Sequence, residues 1–125
     1  METFTIDIHG LLRAAIPSDK AFRRFFGRFS RNFDLKEADL LALKLDKIEV
    51  PAGTKRAGIY YIGDKEVYME RKFGCIALKH VLGRTELFYS GLIDKFYPIL
   101  NLVRDVIWFK LIKREYTFLH ASSVE

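Results

Sequence analysis

The stretch IYYIGDKEVYMERKFGCIALKHVLGRTELFYS, residues 59–90, decides the fold class. Ile59 to Ile62 and Glu66 to Glu70 flank Gly63-Asp64, the pattern of two short strands around a turn. Cys75 to Leu82 and Glu86 to Tyr89 repeat it around Gly83-Arg84-Thr85. The glycine in each turn can take the positive φ that tight hairpins need. Antiparallel pairing is therefore predicted through this half of the chain.

Working outward, Phe4, Ile6 and Ile8 alternate with Thr5, Asp7 and His9, the period of a half-buried strand with His9 on its polar side. Leu11 to Ile16 extend the pairing past Gly10 until Pro17-Ser18-Asp19 breaks it. Ser18 or Asp19 is an N-cap candidate, because Ala21, Phe22, Phe25, Phe26, Phe29 and Phe33 then recur at helical spacing, weakened by Gly27. Leu41, Leu43 and Leu45 predict a strand continuing through Ile48 and Val50 to Pro51-Ala52-Gly53.

Downstream, Leu92 to Arg114 has apolar residues on two faces, so a long helix buried on most of its surface is predicted. Pro98 suits its first turn. Lys110, Lys113 and Arg114 then fall in its last turn, where cations complement the helix dipole. Tyr116 to Val124 reads as a closing strand. The expectation is one α+β domain over residues 1–125: antiparallel strands, a short amphipathic helix, and a long buried helix leading into a terminal strand.

The composition fits such a domain. At 125 residues, with 50% apolar and 30% charged residues, the chain can bury a core. The single cysteine, Cys75, excludes an internal disulfide, and one Cys with three scattered His gives no zinc spacing. The N-terminus lacks the pattern of a signal peptide. The most apolar region, Phe96 to Ile112, is interrupted by Asn101, Arg104, Asp105 and Lys110. A cytoplasmic location without a membrane partner is expected. The net charge of +5 permits a polyanionic partner without requiring one.

Lys20 to Arg31 holds five basic residues and no acid. Arg23, Arg24, Arg28 and Arg31, interleaved with phenylalanines, would suit a nucleic-acid surface. The helical spacing of those rings favours the plainer alternative, a core face of Phe and a solvated face of Arg. His9 and His80 have no Cys, Asp or Glu at ligand or triad spacing, and Cys75 reads as a core residue. No Gly-Lys pair occurs, so a phosphate-binding loop is missing from these residues.

Leu119-His120-Ala121-Ser122-Ser123-Val124-Glu125, with the long apolar helix before it, resembles the segment just upstream of the phosphate-binding loop in HPr kinase/phosphorylase-like proteins. The order of earlier elements is also similar, but only these seven residues are specific. The resemblance implies that the chain is the N-terminal accessory, substrate-positioning part of such a kinase and does not catalyse by itself. It implies that His120 lies beside the nucleotide phosphates in a completed active site. ATP and Mg would then be needed only with a kinase core. Relatives often carry a glycine between helix and strand, where this chain has Arg114-Glu115.

Two partners follow from that reading, a chain carrying the kinase core or a second copy paired through the terminal strand. The alternatives are a small basic nucleic-acid-binding module on Arg23, Arg24, Arg28 and Arg31, or a protein-interaction subunit without chemistry. No residues are nominated as metal ligands.

Overall fold

The computed structural model describes the backbone of residues 2–123 and the side chains of residues 2–114. Among the described residues, eight strands form one sheet: β1 (Thr3–Ile8), β2 (Leu12–Pro17), β3 (Leu40–Leu45), β4 (Lys55–Ala57), β5 (Tyr60–Ile62), β6 (Glu66–Arg71), β7 (Gly74–Lys79) and β8 (Thr85–Ser90). Their spatial order is β1-β2-β3-β8-β7-β6-β5-β4. Two α-helices, α1 (Lys20–Phe26) and α2 (Ile99–Ser123), complete an α+β fold.

Strands β4 to β8 pair antiparallel in sequence; the β5–β6 and β7–β8 hairpins are those the turn spacing predicts, and β4 is an addition to them. The sheet as a whole is mixed, which corrects the all-antiparallel expectation. Strand β3 runs parallel to both β2 and β8. A parallel neighbour needs a crossover. The chain supplies one through α1 between β2 and β3, and another through the whole β4–β7 excursion between β3 and β8.

The core lies on one face of the sheet. Ile6, Ala14, Leu40 and Leu87 are fully covered there by Phe22 and Phe26 of α1 and by Ile99, Val103, Val106 and Ile107 of α2. Each buried Ile, Leu, Val or Phe side chain contributes roughly 1.5–3 kcal/mol by leaving water. A smaller cluster of Tyr68, Cys75 and Ala77 occupies the opposite face beneath Ile48 and Val50. Thus β3 stops at Leu45, and the alternation through Val50 belongs to a loop laid over the sheet rather than to a longer strand. Burial pushes the Cys75 thiol up to about 11, with Glu70 adding to the shift.

Helix α1 is capped as expected, the Asp19 carboxylate accepting from the Phe22 N–H at 3.0 Å. It ends at Phe26, short of Phe33. Gly27 weakens it, and the chain beyond Ser30 bonds instead to the edge of β1 (Arg31 N–H to Thr5 carbonyl, 3.0 Å).

Helix α2 departs most from expectation. Its backbone stays helical through Ser123, so residues Tyr116–Ser123 are not the predicted strand. Arg114-Glu115 contains no glycine or proline to stop the helix, and propagation costs little once a helix exists. Among the described side chains of α2, one side is buried, and Trp108, Phe109 and Ile112 face solvent. Lys110 consequently sits mid-helix and buried rather than in a last turn, donating to the Gly83 carbonyl at 2.6 Å. Burial lowers its pKa, and Asp39 partly opposes the shift. Among the described residues no helix is long and apolar enough to cross a membrane.

His9 and His80 lie in turns, not on strands, with φ of 52° and 54°. Histidine is among the non-glycine residues that tolerate the left-handed region. Tight approach at the other end of the sheet requires true glycines. A Cβ on Gly74 would come within 2.1 Å of the Ser90 carbonyl oxygen at a φ of +153°. Gly74→Ala is therefore expected to destabilise the fold by about 3 kcal/mol, measured by urea denaturation. A loss under about 0.5 kcal/mol would mean that β7 and β8 do not approach this closely.

Candidate functional site

The β1–β2 hairpin builds a site at its turn. Asp7 and Arg13 are cross-strand partners, because the turn centred on Gly10 places them opposite each other. Residues 8–11 close the turn with a bond from the Leu11 N–H to the Ile8 carbonyl at 2.9 Å. His9 and Gly10 both have positive φ, the conformation of a primed hairpin turn.

The Asp7 side chain is only 3% exposed and has partners for both oxygens. One accepts from the Gly10 N–H at 2.7 Å; the other accepts from Arg13 Nε and Arg31 Nη1, each at 3.2 Å. The Gly10 N–H is the main reason that this carboxyl lies below its ordinary value of 3.8. Burial opposes that shift, and Arg13 and Arg31 reinforce it. Arg13 also reaches Glu37 at 2.6 Å and sits over the Phe33 ring.

Beside this cluster opens a cavity of about 750 Å³, lined by Asp7, His9, Gly10, Arg28, Phe29, Ser30 and Arg31. The Arg28 guanidinium lies over the Phe29 ring at 4.9 Å, and the His9 ring meets the same ring edge-on at 5.8 Å. The chain return from α1 to the β1 edge brings Arg28, Ser30 and Arg31 to the hairpin turn.

The arginines singled out in the sequence thus take separate positions. Arg23 donates to the Ser18 hydroxyl at 2.9 and 2.7 Å and covers the Phe4 ring at 4.6 Å. Arg24 is an exposed residue of α1. Arg28 and Arg31 line the cavity, with Arg31 also paired to Asp7. The backbone at His120 is helical, and its side chain lies outside the described residues, as do Val124 and Glu125 altogether. No group of three or more His, Cys, Asp or Glu among the described residues is arranged to hold a metal ion.

Asp7 and His9 are the site residues that motif reasoning passed over. The symmetric spacing of Asp7 and Arg13 about Gly10 was the available signal; nothing local announces Arg31. Compared with known protein families, curated proteins and solved structures, the chain matches none significantly.

Because the folded Asp7 carboxyl is more acidic than in an unfolded chain, its stabilisation is complete above 3.8 and disappears as pH falls through the lower folded value. Asp7→Asn is expected to lower Tm at pH 7 and to flatten the loss of stability between pH 5 and pH 2, measured by thermal melts across that range. An unchanged acid limb would contradict the assignment.

Proposed function

We propose that this chain is a non-catalytic accessory module that packs against a phosphate-binding-loop kinase core of the HPr kinase/phosphorylase type and helps to position that core's substrate. The support from sequence is the Leu119–Glu125 motif with its His120. The observation that carries the reading is the outer side of α2, where Trp108 is 64% exposed beside Phe109 and Ile112. These residues occupy the turns of the helix that run toward the motif. Scattered apolar residues on a surface are ordinary, but adjacent large ones on one helix side suit a covered interface.

The residues present do not fit ATP–Mg. The sequence has no Gly-Lys pair to form the loop whose backbone and lysine hold the phosphates. Nucleotide binding belongs to the core in this reading, and no chemical step is assigned to the chain itself. In this reading the partner is a kinase core; the helical backbone through Ser123 offers no terminal strand for pairing with a second copy, and it also departs from the strand that the Leu119–Glu125 motif forms in the resembled family.

Titrating the chain with ATP–Mg while following Trp108 fluorescence is expected to give no saturable change. Micromolar affinity would contradict the reading. When an HPr kinase-type core is supplied, acrylamide quenching of Trp108 is expected to fall several-fold. Undiminished quenching at saturating core would remove the proposal.

A further inference from the structure

We propose that the cavity at the β1–β2 turn binds the phosphomonoester group of a small molecule. This inference is independent of the accessory-module reading, because it rests on the described side chains of the N-terminal hairpin and of the return from α1, not on the outer side of α2.

The lining is rich in hydrogen-bond donors. Arg28 makes no hydrogen bond or ion pair with another described residue, and its guanidinium carbon lies 4.9 Å from the centre of the Phe29 ring. The guanidinium N–H groups of Arg28 therefore have no acceptor among the described residues. Arg31 uses Nη1 on Asp7, and its other nitrogens make no hydrogen bond among the described side chains. The His9 and Phe29 rings meet at nearly a right angle, 5.8 Å between centroids, and the Ser30 hydroxyl has no hydrogen-bond partner among the described residues. The single lining carboxylate, Asp7, already accepts from Gly10, Arg13 and Arg31. Its charge is thus compensated, and it fixes Arg31 at the rim rather than repelling an anion.

Two guanidiniums, an imidazole and a hydroxyl exceed what the two oxygens of a carboxylate can use. They match the three terminal oxygens of a phosphomonoester, whose double charge favours forked arginine contacts. The space of about 750 Å³ is far more than phosphate alone fills, and it is open to solvent, so an organic group can extend from the bound phosphate. Phe29 supplies an apolar wall for the organic part. His9, at a left-handed φ of 52° in the turn, lines the cavity with its ring 5.8 Å from that of Phe29.

The test is a ¹H–¹⁵N titration of the full chain with ribose 5-phosphate, ribose, inorganic phosphate and a short single-stranded RNA. Saturable shifts at His9, Gly10 and Arg28 to Arg31 are expected with the sugar phosphate, and none with ribose. Arg28→Ala should weaken binding roughly tenfold, as loss of a charge-assisted forked contact does. Arg28→Lys, which keeps the charge without the fork, should fall between. Arg24→Ala, outside the cavity, should bind as the parent does. Both Arg28 and Arg24 are exposed, so neither change threatens the fold, and the same spectra verify it. The proposal is overturned if the sugar phosphate gives no saturable shift at millimolar concentration, or if inorganic phosphate alone binds. It is equally overturned if Arg28→Ala and Arg24→Ala behave alike. RNA binding that engages Arg23 and Arg24 together with Arg28 would replace it with a nucleic-acid surface.

Discussion

Asp39 stands at the entrance of β3 and holds the middle of the sheet together. Its N–H donates to the Arg13 carbonyl at 2.7 Å, and its carboxylate accepts from the Arg13 N–H at 3.0 Å. Its own carbonyl accepts from Thr85 at 2.9 Å, at the start of β8. The Arg114 guanidinium reaches the same carboxylate at 2.7 Å and also bonds the Leu11 carbonyl. One residue therefore registers β2, β3 and β8 and anchors the adjoining part of α2. Inserting β3 between two parallel neighbours is the arrangement on which the remaining elements depend, because it leaves the strand no solvent-exposed edge. Helix α2 can then cover the helical face of the sheet, with Lys110 reaching the β7–β8 turn at Gly83.

The candidate cavity follows from the same topology. The crossover from β2 to β3 must leave the sheet, pass through α1 and return. On its return Ser30 bridges to Ile6 on the outer edge of β1. That passage brings Arg28 and Arg31 to the turn carrying His9. Pairing of the return segment also protects an edge strand that would otherwise present unpaired groups. The far edge has no such cover: β4 is three exposed residues, and two of them, Lys55 and Arg56, carry charges that discourage pairing with another sheet.

Much of this was legible where local chemistry decides the outcome. Alternation in Phe4-Ile6-Ile8 and the turn segments around Gly63 and Gly83 pointed to hairpins, although neither of those glycines takes a positive φ, and Asp19 with the phenylalanine spacing marked the start of α1. The parallel placement of β3 was not legible, since Leu41-Leu43-Leu45 looks the same beside either kind of neighbour. Strand β4, Lys55–Ala57, has no apolar alternation and exists only because β5 offers it an edge. Ile48 and Val50 keep the period of a strand while covering the second face, and periodicity cannot separate those two uses. Residues Tyr116–Ser123 mix β-branched and aromatic residues with good helix formers, so the absence of a stop after Arg114 outweighs strand propensity. In the site, Asp7 opposite Arg13 could be read from spacing about Gly10, whereas Arg31 depends on the long return of the chain.

Native-state hydrogen exchange resolved by residue tests the central role of β3 most directly. Amides that open only with global unfolding should cluster in Leu40–Leu45, in the facing part of β8, and in the Val103–Ile107 turns of α2. Those of β4 and β5 should exchange through local opening at much lower cost. Rapid exchange in β3, at rates like those of the β4–β5 hairpin, would contradict its placement between β2 and β8.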